Sequence, residues 1–396
     1  MCRRQLLNLM LIMGVLLTQT GCWSSFEIED LSLYGGLALD EGEPTETEQD
    51  LNKQGGSYPR KNLITATIQI VPVNSFGSKS KSDKGHTAQY LNISETGDSL
   101  LEILRQYSVR LERMVIGHHL KVIIISTKLA QKQSMDQILD FVLRDNDIRP
   151  SCTVFLSEGK AMDVLEASRP GEVSAFRIQG MLRNHYRTSK VMKGVNLSQL
   201  DALMNSKRSF VLQNIISTKK DLEFAGAGII KGETGNWIGS LDQPDVESIS
   251  WIKGEVQGGA IKSYTEKNVP VIYEIKSMKS KMKAKVQGDD ISFHVDIQSQ
   301  GRFTENWDIK NDPSKAQFME EAEKIFEKRL SQMIDSLMWK MQSKYKVDVA
   351  GFGECLSIQH PHVWKKVKDH WDEEFSQIPV TFDIKLKITD FGSSLK

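Results

Sequence analysis

A long stretch of alternating apolar and polar residues near the C-terminus constrains the fold of this chain most strongly. Residues 271–303 predict two long strands joined by a hairpin turn at Gly288-Asp289-Asp290. Because the side chains of a strand point alternately to its two faces, one face of this hairpin is apolar and must be covered. Its apolar positions are Met278, Met282, Ala284 and Val286 on the first strand and Ile291, Phe293, Val295 and Ile297 on the second.

Helices that could cover this face follow directly. We predict a helix of roughly 30 residues that begins with Asp312 as its N-cap and Pro313 as its first helical residue. A further helical stretch at 361–375 and an alternating strand at 378–388 complete the region. Residues 261–396 therefore predict an α+β domain, in which helices pack on one face of a sheet. The helical stretch at 361–375 places Trp364, Val367, Trp371 and Phe375 on one stripe.

The first part of the chain has the pattern of an α/β domain, which we assign to residues 22–190. Helices are predicted to start at Ser99, in a capping box with Glu102, and at Ser134. Two polar stretches, 40–61 and 74–89, are predicted to be loops. The first helix carries Ile103, Leu104, Leu111 and Val115 on its apolar face, and strands are predicted at 31–39, 62–73, 119–126 (a continuous apolar run) and 152–157.

A middle domain is predicted over residues 191–260. The pattern from 160 to 222 is mixed and mostly helical, most clearly at 195–206. Residues 222–254 predict two short strands around a glycine turn, followed by a helix that starts near Asp245. We therefore expect mixed sheets covered by helices in several domains.

The N-terminus has the features of a bacterial lipoprotein signal. Arg3 and Arg4 precede a twelve-residue apolar core at 6–17, which is too short to span a bilayer. Cys22 follows directly after Thr20-Gly21. We therefore predict that residues 1–21 are removed and that Cys22 becomes an S-diacylglycerol cysteine, with its new amino group open to acylation. The alternative is an ordinary signal peptide cut nearby, which would leave Cys22 a free thiol.

Composition gives no indication of a nucleic-acid-binding role, and the few cysteines leave one candidate disulfide bridge. The chain has 51 basic and 51 acidic residues, so no excess of positive charge attracts a polyanion. Besides Cys2 and Cys22, the chain contains Cys152 and Cys355, about 200 residues apart. We favour two small buried hydrophobic residues over a disulfide bridge between them.

Catalytic and metal-binding motifs are not found in the sequence. It contains no G-x-S-x-G, P-loop, H-E-x-x-H or C-x-x-C pattern. Gly226-Ala227-Gly228 and Gly351-Phe352-Gly353 lack the third glycine of a dinucleotide loop, and we interpret the first as close backbone packing. On a helix His362 and His370 would lie about 12 Å apart, too far to share a zinc ion. We expect no metal and no cofactor other than the covalent lipid.

Four lysines alternate with the apolar face of one predicted strand: Lys279, Lys281, Lys283 and Lys285. One interpretation is a solvated sheet face, on which lysines also protect an edge strand from wrong pairing. The other is a contact site for anionic lipid headgroups or for an acidic partner.

Several separated blocks resemble one protein family. Cys22-Trp23 followed by "EIEDLSLYGGLALD" resembles the opening of the germinant-receptor C subunits, the Ger(x)C lipoproteins of endospore-forming bacteria. The likeness covers nearly all of the chain after residue 21. It continues at "GHHLKVIIISTKLAQ", "ILDFVLRDNDIRPSCTVFLSEGKAMDVLE", "AGAGIIKGETGNWIGSLDQPDVESISWIKG" and "HPHVWKKVKDHWDEEF…VTFDIKLKITDFG".

This resemblance implies a non-enzymatic lipoprotein subunit of a nutrient receptor. It would act with an A subunit and a transporter-like B subunit on the outer face of the spore inner membrane, where nutrient sensing leads to release of ions and dipicolinic acid and so to germination. The family fold implies three α/β or α+β domains in an elongated arrangement. Only Cys22 carries over as a functional residue, as the lipid attachment site. The nutrient pocket is ascribed chiefly to the B subunit, so the resemblance assigns none to this chain.

Two other classes of lipoprotein stay open at this point. A solute-binding lipoprotein of a transporter needs two similar α/β lobes around a cleft, and the second half of this chain does not repeat the first. A cell-wall enzyme on a lipid anchor needs a catalytic cluster, and the sequence shows none.

Overall fold

A computed structural model describes residues 31–42, 46–55, 62–71, 90–167, 172–218, 220–307 and 316–390. These residues form two β-sheets with helices packed on them, as predicted. The first sheet runs from residue 31 to 241 and the second from 260 to 390. The predicted domain boundaries at 190 and 260 stay a prediction.

The first sheet is mixed, with strands in the order β3-β2-β1-β5-β6-β7-β8-β9, and with β4 paired to β1. Its central strands β1, β5, β6 and β7 are parallel, whereas the strands at both ends pair antiparallel. The strands are β1 Leu31–Glu41, β2 Ile64–Ile70, β3 Leu91–Gly97, β4 Met114–Ile116, β5 Val122–Ser126, β6 Thr153–Ser157, β7 Phe210–Ser217, β8 Leu222–Ile230 and β9 Trp237–Leu241.

Helices cover both faces of the centre of this sheet. Along β5, Ile123 and Ile125 belong to one hydrophobic core, and Val122 and Ile124 to another. A strand covered on both faces needs apolar residues at every position, which explains the continuous apolar run. The helices between residues 46 and 253 are α1 Glu46–Lys53, α2 Leu100–Arg110, α3 Thr127–Lys132, α4 Met135–Arg144, α5 Ala161–Glu166, α6 Ser174–Leu182, α7 Leu197–Asn205 and α8 Gln243–Lys253.

Most predicted elements of this region are confirmed, and two predictions are wrong. The stretch 40–61 is not all loop, because residues 46–53 form the helix α1, in which Lys53 and Asp50 form an ion pair. The helix after Ser99 ends at Arg110, so Leu111 and Val115 are not on it, and Val115 lies in β4. The segment 160–222, predicted to be mixed and mostly helical, contains α5, α6 and α7 and also β7, a buried strand without a period-2 pattern.

The second sheet has the order β10-β11-β12-β13, and its strands are β10 Ala260–Tyr264, β11 Pro270–Gln287, β12 Asp290–Asn306 and β13 Val380–Asp390. The predicted hairpin is confirmed, since Gln287 pairs with Asp290 across a two-residue turn. Gly288 has a φ of +65° in this turn, a conformation that favours glycine. The last strand, β13, pairs parallel to β12.

Helices cover only one face of this second sheet. The cover consists of α9 Ala316–Trp339, a π-helical turn at Lys340–Tyr345, α10 Phe352–Gln359, α11 Pro361–Val367 and α12 Trp371–Phe375. Helix α8 also contributes Val246, Ile249 and Trp251 to the same core. The predicted start of the long helix at Asp312 and Pro313 lies outside the described residues. From Ala316 on, its apolar side packs against the sheet, for example Phe326 against Tyr273 at a ring distance of 5.5 Å.

The predicted single stripe at 361–375 is broken by a 3-10 turn at Lys368–His370. The indole N–H of Trp371 donates to Asp348, and the Asp372 carboxylate accepts the N–H of Asp348. These bonds hold α12 against the loop before α10, so the chain turns instead of continuing as one helix. Trp364 and Trp371 nevertheless meet, with ring centroids 5.3 Å apart.

Candidate interaction surface

The predicted lipid-attachment site has no geometry to report, because Cys22 lies outside the described residues. The first described strand, β1, begins nine residues later at Leu31. Lipidation of Cys22 therefore stays a prediction from the sequence. The four lysines of β11 lie within the described residues.

All four predicted lysines, Lys279, Lys281, Lys283 and Lys285, are exposed on the uncovered face of the second sheet. We call them the lysine row. The alternate residues of the same strand face the helices, and Ala284 is buried there while Met278, Met282 and Val286 pack around the same core. The period-2 pattern thus places the charged and apolar residues on opposite faces, as predicted.

The neighbouring strands carry mixed charge on the same face. By register, Asp296 lies opposite Lys281 and His294 opposite Lys283. On β13, Asp383 lies 3.5 Å from the His294 Nε2 atom. Within the part of the chain that the structure describes, no lysine of the row forms an ion pair of its own. On β13 the exposed Lys385 also lies on this face, opposite Gln298, so the positive charge is greatest along β11 but is not confined to it.

The edge of β11 beside the lysine row is covered by side chains from the C-terminal end of α10. Strand β10 pairs with β11 only as far as Glu274. Further along, the Gln359 side chain accepts a bond from the Ala284 N–H (2.9 Å) and donates to the Met282 carbonyl (3.1 Å). Since this helix end protects the edge, the lysines are not needed to keep it from pairing wrongly.

A buried carboxylate beneath this sheet was missed by the sequence reasoning. Asp348 accepts the backbone N–H groups of Ala350, Gly351 and Gly353 as well as the indole N–H of Trp371. Burial raises the pKa of Asp348, while these donors act in the opposite direction. Asp348 fastens α10 and α12 together. Its signal in the sequence is an acidic residue inside the apolar stretch 347–353.

Both Gly-x-Gly stretches have structural roles. The amides of Gly351 and Gly353 bind the Asp348 carboxylate and so are not free for a phosphate. Gly226 has a φ of +70°, and a Cβ there would lie 2.1 Å from the Leu241 carbonyl oxygen. The interpretation of Gly226-Ala227-Gly228 as close backbone packing is confirmed.

Cysteine and histidine side chains do not come together in the described ranges. Cys152 and Cys355 are both free thiols, and Cys152 is buried in the first core. Burial raises the pKa of both thiols, which makes them poor nucleophiles. The His360 Nε2 atom lies 3.3 Å from the Ala284 carbonyl oxygen, within hydrogen-bonding distance. No group of three or more His, Cys, Asp or Glu in the described part of the chain could hold a metal ion.

In the part of the chain that the structure describes, no helix is long and apolar enough to cross a membrane.

Comparisons with known proteins agree over almost the whole chain. The family model "Spore germination protein N-terminal domain" matches residues 24–217, and "Spore germination B3/ GerAC like, C-terminal" matches residues 225–392. The chain is 39% identical over 396 residues to spore germination protein YndF of Bacillus subtilis (strain 168), which covers 99% of this chain and 98% of the relative. It is 28% identical to spore germination protein B3 of the same organism, over 96% of each chain.

A solved structure supports the fold. The crystal structure of the GerBC protein superposes with a TM-score of 0.61 at 27% identity, over 92% of this chain and 100% of the other. The arrangement of two sheets with a long C-terminal helix is thus found in an experimental structure of a similar protein.

Proposed function

Because this chain belongs to the GerAC-like family of spore germination proteins, the C subunits of germinant receptors, we propose that it is a lipid-anchored, non-catalytic receptor subunit. It acts with membrane-embedded A and B subunits on the outer face of the spore inner membrane. The observation that carries this proposal is the likeness to spore germination proteins over 99% of the chain. The alternative, a solute-binding lipoprotein, is not favoured, since the two sheets differ in size and topology.

The tether of this subunit is a diacylglycerol on Cys22. The positively charged start, the twelve-residue apolar core and the Thr20-Gly21-Cys22 sequence support this assignment. A diacylglycerol brings two acyl chains at about 0.8 kcal/mol per buried CH₂, which suffices for stable anchoring where one chain is marginal. No other membrane attachment is needed for the chain to stay with its partners.

The lysine row is the surface that meets the anionic headgroups of the same membrane. Four exposed ammonium groups without ion pairs in the described segments stand in one line on a flat sheet face. Near an anionic surface each contributes about 1 kcal/mol. On a chain already tethered by lipid, this attraction orients the second sheet towards the bilayer.

A complementation experiment in spores tests the receptor role and the tether separately. The gene for this chain is deleted from spores that carry no other complete germinant receptor, and then restored as wild type, Cys22→Ala or Cys355→Ala. We expect deletion to abolish nutrient-triggered germination and Cys22→Ala to fail in restoring it. Cys355→Ala is the matched control, because it removes a half-buried thiol that has no role in anchoring.

Each outcome bears on one part of the proposal. Normal germination of the deleted spores on every nutrient that the wild type answers would contradict the receptor role. Full restoration by Cys22→Ala, together with release of that variant from the membrane fraction, would contradict the need for the tether and leave the receptor role standing.

A further inference from the structure

A groove on the first sheet has the chemistry of a small-molecule site. It has a volume of about 350 Å³ and lies between α2, β4 and the C-terminal end of α4. Its apolar wall is formed by Leu104, Val115 and Phe141, which are all partly buried against the first core. The volume is within the range that small ligands occupy in proteins.

The floor of this groove contains a buried tyrosine without a hydrogen-bond partner. Tyr34 is only 2% exposed, and its hydroxyl makes no hydrogen bond to any residue that the structure describes. Tyr107 in the same core behaves as a buried tyrosine normally does, since its hydroxyl bonds to the Ala66 and Ile93 carbonyls. Burial and the nearby carboxylates of Asp145 and Asp147 raise the pKa of Tyr34, so its hydroxyl stays protonated.

Charges of both signs line the rim. Arg105 is exposed on α2 and forms no ion pair or hydrogen bond in the described segments. The other arginine, Arg144, is already paired with Asp140 at 2.9 Å. On the opposite side, Asp145 and Asp147 follow the end of α4 and also line the groove.

We propose that this groove binds a small zwitterion with an apolar side group, the chemistry of a free apolar α-amino acid. The guanidinium of Arg105 takes the ligand carboxylate in a forked geometry. The Tyr34 hydroxyl lies on the side of Asp145 and Asp147, where its oxygen accepts a hydrogen bond from the ligand ammonium. Asp145 and Asp147 attract the ammonium group. The side group lies on Leu104 and Phe141, where it is removed from water.

This site goes beyond the receptor proposal and does not depend on it. It also goes beyond the family resemblance, which assigns no nutrient pocket to this chain. A separate experiment therefore decides it, and germination of spores is not its readout.

Binding is measured by calorimetry on the full chain solubilised in detergent, with leucine, valine and phenylalanine as probes. Two derivatives test the charges: leucinamide, which lacks the carboxylate, and N-acetyl-leucine, which lacks the ammonium. We expect at least one amino acid to bind saturably and the matching derivatives to bind about tenfold more weakly, as expected for one lost charged contact. Failure of all three amino acids to bind would overturn the proposal, as would equal binding of the derivatives.

Variants then locate the site. Arg105→Gln should weaken binding about tenfold, and Tyr34→Phe should weaken it severalfold while the ring stays in the core. Arg149→Gln is the matched control, because this exposed arginine does not line the groove. Thermal unfolding of each variant checks its fold. If Arg105→Gln binds as the wild type does, or if Arg149→Gln loses as much affinity, the ligand does not occupy this groove.

Discussion

The two sheets of this chain bury their strands in different ways. At the centre of the first sheet both faces lie in hydrophobic cores, so neighbouring residues such as Ile123 and Ile124 are equally buried. In the second sheet only one face is covered, so Phe293 is buried while the next residue, His294, belongs to the open face. The first sheet has little room for charged contacts at its centre. The second offers a flat, hydrated face that can meet another surface without loss of its core.

The largest expected effect tests this difference with neighbouring residues. Phe293→Ala removes a ring that contacts Phe352 and Trp371 and should lower the free energy of unfolding by about 3–5 kcal/mol. Ser292→Ala, on the open face, should change it by less than about 0.5 kcal/mol. Chemical denaturation followed by tryptophan fluorescence measures both. Similar losses for the two variants would mean that the open face is covered in solution.

In the first sheet, alanine substitutions at two neighbouring residues should both lower the free energy of unfolding strongly. Ile123→Ala and Ile124→Ala each leave a cavity in a separate core and should each cost about 2–5 kcal/mol. The same denaturation measurement applies. A loss confined to one of the two variants would show that one face of the central strand is not packed, and the contrast between the sheets would fail.

A smaller effect is expected from the helical cover of the second sheet. Asp348→Asn keeps the size of the side chain but replaces one acceptor oxygen by a donor. Since all four partners of Asp348 are donors, the amide leaves some of them unpaired, and the loss should be about 1–3 kcal/mol. Asp369→Asn, an exposed carboxylate on the 3-10 turn, is the control and should change little. An equal stability of both variants would show that Asp348 does not fasten the helices.

Whether a strand can be predicted from the sequence depends on whether apolar packing or polar side-chain pairing stabilises it. The hairpin of the second sheet can be predicted from the sequence because its covered face is apolar at every second position and its turn contains Gly288. Strand β3 cannot be predicted from the sequence in this way. It pairs with β2 through polar side chains, Thr65 with Thr96 and Thr67 with Ser94, both at 2.8 Å, so it shows no apolar period.

The same reasoning explains which site residues the sequence could show. The lysine row lies on one strand and repeats every second residue, so the pattern alone places it on one face. The groove at Tyr34 draws its residues from β1, α2 and the end of α4, which only the strand order of the first sheet brings together. Asp348 was missed because its partners are mostly backbone amides, which leave little trace in side-chain pattern.

The smallest effect on stability, and the sharpest test of the open face, comes from the lysine row itself. Changing Lys279, Lys281, Lys283 and Lys285 together to Gln should alter the free energy of unfolding by less than about 0.5 kcal/mol per site, because exposed side chains contribute little. Binding to vesicles of anionic phospholipid, measured by flotation at low salt, should nevertheless weaken, by up to about 1 kcal/mol per lysine.

The matched control changes four exposed lysines away from this face, Lys324, Lys365, Lys366 and Lys368, to Gln. It removes the same charge but leaves the row intact, so the comparison separates a specific surface from net charge. If the control weakens vesicle binding as much as the row variant does, attraction to the membrane is a property of the whole chain. The open face of the second sheet would then be a solvated face only, and the two sheets would differ in packing but not in role.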